Sequence, residues 1–328
     1  TTRLSTHRGD GCATIAPRAI GREQALPFHN PIPRKTILIK TTTPLTGLRA
    51  LITSLALVAA AHAAEPADNN AALTRAVESR SEEDRARDAA RHPVETLTFF
   101  QVEPGMAVAE LLPGGGWYTR ILADYLGEDG TLYGVNYADR MWPMFSFATD
   151  DWIAGRIAAT GAFPEMVEGF TDNGIETRGF TVSSVPPEIA GTVDRVLIIR
   201  ALHNLNRFEQ QAGTLSQALA AVRNLLKDDG LVGVVQHRAE AAGPESATDG
   251  SRGYMDQAEV ILTFQDAGFQ LVATSEINAN PNDKPGPDDT VWRLPPTLRT
   301  SKDNPDLRAA MEAIGESDRM TLLFRKAP

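Results

Sequence analysis

Two histidines, three arginines and a run of glycines carry most of the chemistry this chain can offer. His203 and His237 are base candidates, because the unperturbed pKa of an imidazole lies near neutrality. Arg200, Arg238 and Arg319 can hold an anion, since a guanidinium presents its donors as a fork that fits a carboxylate or phosphate. Glu110 precedes Pro113-Gly114-Gly115-Gly116, and glycines there let the backbone approach a ligand with no Cβ in the way. Glu316, Ser317 and Asp318 stand just before the last apolar run and are expected to line the same mouth. Asn136, Asn204, Asn278 and Asn280 come soon after other apolar runs. Singly, each has a plain structural explanation, such as a histidine at a helix start or asparagines that form turns. Their meaning depends on the elements that hold them.

The apolar run Met106–Leu112 reads as a buried strand. After the glycines, Tyr118, Ile121, Leu122, Tyr125 and Leu126 recur at helical spacing. A strand, a glycine turn and a helix follow in that order, which aims the free N–H groups of the helix start at whatever sits there. Further strands are expected over Thr131–Tyr137, Ile175–Phe180, Val193–Arg200, Leu231–Gln236, Phe269–Ser275 and Met320–Lys326. Phe208–Lys227 predicts one amphipathic helix, with Leu215, Leu219, Val222 and Leu226 on a face and Gly230 just beyond its end. Asp256–Ala267 and Leu307–Ile314 predict two more, and Pro93 opens another that carries Leu97, Phe99 and Phe100. The charges of Ser79–Arg91 predict a solvated helix. Within the helix-and-loop stretch 138–170, Trp142, Phe145, Phe147 and Trp152 read mostly as core fillers and alternatively as pocket walls.

Strands alternating with helices predict a parallel sheet with helices on both faces. The last two strands are joined by a polar, proline-bearing excursion, 276–319, which suits an antiparallel final strand. In open parallel sheets, ligands sit outside the carboxyl ends of the strands. Glu110 with the glycines, Asn136, Arg200 with His203 and Asn204, His237 with Arg238, and Glu276 with Asn278 and Asn280 all fall at those ends.

With 328 residues and 42% hydrophobic content, the chain can build one large α/β domain, or two small ones, with a substantial core. A formal charge of −10 and the lack of a basic stripe argue against a nucleic-acid footprint. Residues 1–39 are rich in Thr, Arg and Pro, lack a period and contain the single cysteine, Cys12. Lys40–Arg49 is polar, Ala50–Ala61 is apolar, and Ala61-His62-Ala63 closes the run. This layout predicts a signal peptide over 40–63, with 1–39 an extension upstream of the true start. The apolar run is too short to span a bilayer comfortably, so no stable membrane insertion is expected after cleavage. The mature chain is then a helical segment, 64–92, and an α/β domain, 93–328, located in the periplasm or secreted. Lacking cysteine, it has no disulfide, thiolate metal site or cysteine nucleophile. Its oligomeric state is left open.

Six strings in order carry a family resemblance. They are Pro104-Gly105-Met106, Glu110-Leu-Leu-Pro-Gly-Gly-Gly-Trp-Tyr-Thr119, Arg200-Ala-Leu-His-Asn204, Gly233-Val-Val-Gln-His-Arg238, Ser275-Glu-Ile-Asn-Ala-Asn280 and Gly315-Glu-Ser-Asp-Arg-Met-Thr321. In these the chain resembles class I S-adenosylmethionine-dependent methyltransferases, and more narrowly a group of bacterial predicted methyltransferases with signal peptides. The resemblance spans about Asp84–Lys326. It implies a Rossmann-like, mostly parallel seven-stranded sheet with an antiparallel last strand. It also implies S-adenosylmethionine as cofactor and a small-molecule acceptor. The Glu110 region with Gly114 and Gly116 would face the methionine end, with Pro113, Gly115 and Tyr118 beside it. Asn136 stands where an acid usually holds the ribose hydroxyls.

The chain departs from the family pattern in three places. Leu112 replaces the first motif glycine, Asn136 replaces the ribose acid, and no acid follows the third strand for the adenine amine. Asn136 can still accept a hydrogen bond through its amide oxygen, without charge assistance. Methyl transfer calls for in-line positioning, and for a base when the nucleophile is protonated, which His203 or His237 would supply. Arg200, Asn204, Arg238, Asn278, Asn280, Glu316, Asp318 and Arg319 are the expected substrate contacts, and no metal site is expected. A nicotinamide oxidoreductase would need glycine where Thr119 stands. A metal hydrolase on His203, His237 and Glu276 lacks local ligand spacing. The main alternative is an exported binding protein that keeps the fold without methyl transfer, which Leu112, Asn136 and the signal peptide favour.

Overall fold

Seven strands form one sheet in the order β3-β2-β1-β4-β5-β7-β6. They are β1 (Ala107–Leu111), β2 (Thr131–Asn136), β3 (Glu176–Thr181), β4 (Val193–Ile199), β5 (Leu226–His237), β6 (Phe269–Ser275) and β7 (Arg319–Lys326). The computed structural model describes residues 66–240 and 244–328. The expected extension 1–39 with Cys12, the signal peptide 40–63 and the first two residues of the expected 64–92 segment lie outside the described residues. Strands β1 to β5 pair in parallel, and β7 runs antiparallel to both neighbours, β5 and β6. The expected architecture is present, with the long excursion 276–318 carrying the chain from β6 back to β7.

In chain order the helices are α1 (Pro66–Glu78), α2 (Glu82–Arg85), α3 (Asp88–Arg91), α4 (Pro93–Phe99), α5 (Trp117–Leu126), α6 (Asp150–Gly161) and α7 (Phe163–Glu168). They continue as α8 (Leu202–Arg207), α9 (Glu209–Ala212), α10 (Thr214–Leu225), α11 (Glu245–Thr248), α12 (Gln257–Asp266) and α13 (Pro305–Ile314). Alternate strand residues feed two cores, as expected of a sheet covered on both faces. Val108, Leu197, Val235 and Leu323 pack with Leu73, Leu97, Phe100, Ile121, Leu122 and Phe163. Ala109, Leu111, Ile198, Val234, Leu322 and Phe324 pack with Leu205, Leu219, Val222 and Phe264. Among the described residues, no helix is long and apolar enough to cross a membrane.

Two expectations about helices need correction. The helix expected over Phe208–Lys227 is two. Gly213 turns left-handed at φ 61°, and the Glu209 carboxylate accepts from the amides of Leu215 and Ser216 at 2.6 and 3.1 Å, capping the start of α10. The stretch Ser79–Arg91 is not one solvated helix either. It forms α2 and α3, and both Arg80 and Arg91 are buried. Their guanidinium groups lie 4.6 and 4.5 Å from the ring centre of Trp117, and Arg80 Nη2 donates to both carboxylate oxygens of Asp88 at 2.6 and 2.7 Å. A charge pattern reads as solvated until its partners, distant in sequence, are known.

Candidate active site

Two neighbouring strands end in the same unusual way. Leu112 after β1 and Arg200 after β4 both adopt the left-handed backbone conformation, with φ of 56° and 57°. Each first extends the ladder, donating its amide to Val135 and Val235 respectively at 2.7 Å. A side chain in this conformation costs of order 1 kcal/mol, and such strain collects at functional sites. At Leu112 the backbone keeps the turn for which glycine is the usual residue. The two turns open a cleft over the carboxyl ends of β1 and β4.

The cleft has two lobes that share Leu112, Gly114, Asn204 and Trp292. One, of about 580 Å³, is arginine-rich, with Arg87, Arg91, Arg120, Arg200, His203 and His237 on its wall beside the carboxylates of Glu83, Asp84 and Glu316, and is called the basic lobe below. The other, of about 450 Å³, is aromatic and is lined by Tyr137, Trp142, Phe145, Phe147 and Trp152. Both volumes fall in the range of small-molecule sites. Trp142 and Phe145 are buried as expected of core residues, yet they also wall the lobe, and Phe147 is 57% exposed at its edge. The excursion before β7 contributes Val291, Trp292 and residues 295–297 as a roof over the basic lobe.

Arginines converge on a single carboxylate in the basic lobe. Glu316 takes contacts from Arg87 at 2.6 Å, Arg91 at 3.2 Å and Arg319 at 3.2 Å. Burial alone would raise its pKa, but Arg91, Arg319, Arg87 and Arg200 together outweigh that and hold it below the usual carboxylate range. Burial, with repulsion from Arg200, pushes the Arg91 guanidinium down to about 9. Burial, opposed by Glu316 and reinforced by Arg319 and Arg87, pushes Arg200 down to about 10. Both therefore stay charged at neutral pH.

His203 and His237 face each other with ring centres 5.5 Å apart. Burial pushes His203 down to about 4, against a raising contact from Gln236. Burial also drives His237 well below its ordinary value, helped by His203 and Arg200. Both rings are neutral at pH 7. The tautomer of His203 follows from its neighbour. Gln236 donates through its amide nitrogen to the carbonyls of Gly253 and His237, at 2.8 and 3.3 Å, so its oxygen must accept from the His203 Nδ1–H at 3.3 Å. The lone pair of His203 is then on Nε2. His237 Nδ1 lies 2.5 Å from the Ser317 hydroxyl.

Of the expected site residues, Pro113, Gly114, Gly115, Arg200, His203, Asn204, His237 and Glu316 lie on the cleft wall. The others lie elsewhere. Glu110 is inside β1 beneath α5, accepting from Thr119 at 2.6 Å, and burial raises its pKa to about 7. Tyr118 is buried and donates to the carbonyl of Arg91 at 3.3 Å. Gly116 lies against the Phe170 ring. The Asn136 amide turns to Thr160 at 2.9 Å. Arg238 is consumed by Asp318 and Glu276, and Arg319 by Glu316 and the carbonyls of Ser317 and Ala90.

Asn278 clasps the hydroxyls of Thr96 and Thr321, and Asn280 donates to the carbonyls of Ile314 and Glu316. These residues hold the site's frame. Arg87, Arg91, Arg120, Trp117 and Trp292 escaped the sequence reading. The first two carried a faint signal, a pair of arginines four apart just ahead of α4. Among the described residues, no group of three His, Cys, Asp or Glu side chains is placed to hold a metal ion.

Strand order, antiparallel β7 and the glycine turn between β1 and α5 are those of the Rossmann-like class I methyltransferase fold. No family model and no curated protein matches the sequence. Solved structures similar to this chain include an S-adenosylmethionine-dependent methyltransferase from Aquifex aeolicus, at 16% identity over 63% of this chain and 93% of that one, with a TM-score of 0.40. The [4+2]-cyclase SpnF is 14% identical over 79% of this chain and 93% of its own, with a TM-score of 0.45. The 1,6-didemethyltoxoflavin-N1-methyltransferase of Burkholderia thailandensis, solved with S-adenosylhomocysteine bound, is 11% identical over 81% and 92%, with a TM-score of 0.41.

Proposed function

We propose that the chain is an S-adenosylmethionine-dependent methyltransferase acting on a small acceptor, and that the two-lobed cleft is its site. The observation that carries this reading is the turn Leu112–Gly115. It sits where an aromatic lobe, suited to a nucleoside base, meets a basic lobe holding two neutral histidines. A Cβ at Gly115 would meet nothing within 4 Å, so the backbone there is open to a ligand. Trp152 and Phe147 offer ring surface for the adenine over the buried Tyr137 and Trp142, and Gly114 and Gly115 offer close backbone approach for the methionine end.

The cofactor, when bound, supplies an electrophilic methyl group. The chain's own residues do the rest. Trp292 and residues 295–297 keep water from the basic lobe, and Arg200 with Asn204 orients the acceptor. His203 Nε2 receives the proton the acceptor loses. Positioning supplies most of the rate in such a site. On the expected signal peptide, the protein works in the periplasm or outside the cell, with no nucleic-acid partner.

A second reading, an exported binding protein that keeps the fold without methyl transfer, is favoured by one observation. Asn136 bonds to Thr160, and the aromatic lobe carries no acidic side chain among the described residues, so no carboxylate meets a ribose there. Calorimetric titration of S-adenosylmethionine and S-adenosylhomocysteine into the full chain tests the cofactor site on which the first reading depends. Micromolar binding that disappears in Gly115→Phe supports methyl transfer. No binding by folded protein removes it.

A further inference from the structure

Arg200 differs from the other arginines on the wall of the basic lobe. Arg87 and Arg91 have Glu316, and Arg120 has Asp84 at 3.5 Å and the carbonyl of Gly115 at 2.9 Å. Among the described residues nothing hydrogen-bonds or ion-pairs with the guanidinium of Arg200, though it lines the cavity at the end of β4. Arg91 is nearly as poorly served. The residue is 1% exposed, and its Nη1 and Nη2 have no acceptor.

Arg91 is buried and Arg200 half-buried against the cavity, and a cation so placed without a partner is costly, so protein interiors normally pair it. Here Arg87, Arg91, Arg200 and Arg319 act on one carboxylate, Glu316, an excess of three positive charges in that cluster, while on the cavity wall itself Asp84 is paired with Arg120 and Glu83 is the one further carboxylate. The neutral histidines add none. This concentration of positive charge lies inside a chain whose formal charge is −10. It is local, and it faces a cavity.

We propose that the basic lobe is an oxyanion site, with Arg200 its main contact, and that it holds a carboxylate or phosphate group of the methyl acceptor. The oxyanion site rests on the arginines alone, whereas its assignment to an acceptor rests on the methyltransferase reading above. An anion bound there also changes the base. Negative charge beside His203 offsets part of its desolvation and raises its pKa towards neutrality, so the acceptor itself prepares the imidazole to take a proton.

Inorganic phosphate and acetate, titrated into the full chain against sodium chloride at matched ionic strength, test this by calorimetry. Wild-type protein is expected to bind at least one of them. Affinity should fall about tenfold or more in Arg200→Gln, recover in part in Arg200→Lys, and fall also in Arg87→Gln, which lies at the cleft mouth. The His203 imidazole, followed by NMR, should titrate at higher pH with the anion than without it. S-adenosylhomocysteine affinity, measured on the same proteins, should be unchanged in Arg200→Gln.

Absence of binding by either anion overturns the proposal, as does equal binding by wild type, Arg200→Gln and Arg87→Gln. If phosphate competes with S-adenosylhomocysteine and Arg200→Gln loses both, the arginines serve the cofactor and the acceptor assignment falls. Anion binding as expected, in a protein that ignores S-adenosylhomocysteine, supports the oxyanion site and removes the methyl-transfer reading instead.

Discussion

The three glycines after Pro113 are not equivalent. Gly116 has φ of 77°, and a Cβ there would lie 2.8 Å from the Phe170 ring. Gly116→Val therefore combines left-handed strain with a clash, and should destabilise the fold by roughly 2–4 kcal/mol. Gly115 has neither problem, so Gly115→Phe should change stability by less than about 1 kcal/mol while closing the cleft. Urea denaturation of the two variants separates a structural glycine from a binding one, and loss of stability in both would contradict the assignment. The histidines allow a second check at this scale. His203 should titrate near pH 4 and His237 well below 6.5, so neither imidazole signal should move between pH 6 and 8 in the free protein.

Among elements, the joint that matters is the one between the α2–α3 segment and the start of β7. Glu316 makes it, reaching Arg87 and Arg91 on one side and Arg319 on the other. Removing the carboxylate that these arginines share leaves buried cations unpaired. Glu316→Gln should cost about 3–5 kcal/mol, whereas Arg87→Ala, removing a half-exposed partner, should cost about 1 kcal/mol or less. Equal losses in denaturation experiments would show that the cluster does not bind the elements together. This joint was invisible in the sequence because its partners lie 229 and 225 residues apart. Local patterns were legible: the α5 and α12 helices and every strand were found from periodicity and flanking glycines. The split of α9 from α10 was not, because it depends on Glu209 folding back to cap Leu215 and Ser216.

For the whole molecule, two buried systems pull the pH dependence of stability in opposite directions. Glu110 is raised from 4.5 to about 7, so between those values the folded protein keeps a proton that the unfolded chain has released. Stability from this group falls as pH rises through that window, by on the order of 3 kcal/mol, and does not return above it. His203 is lowered from 6.5 to about 4, so below 6.5 the unfolded chain gains a proton that the folded protein refuses. Stability from the histidine falls as pH drops through that window, and His237 adds to it. The two effects flatten the wild-type profile. Glu110→Gln removes the first and keeps an acceptor for Thr119. It should be more stable than wild type at pH 8 and about equal near pH 4.5, as urea midpoints at the two values would show. No advantage at pH 8 would mean that Glu110 is not strained by its burial.

What the sequence determined by itself was the order of strands and helices, the antiparallel closing strand and the end of the sheet where the polar residues gather. These follow from periodicities of two and 3.6 residues and from the short reach of glycine turns, which are local properties of the chain. Tertiary structure alone decided which polar side chains reach the cleft. At the end of one sheet, Arg200 has no hydrogen-bond or ion-pair partner among the described residues, while Arg238, a residue beyond β5, is consumed by Asp318 and Glu276. Asn136 turns to Thr160, and Arg91, expected in solvent, is buried beside the cavity. A side chain's role depends on charges and donors brought to it from distant segments, and no spacing along the chain encodes that pairing.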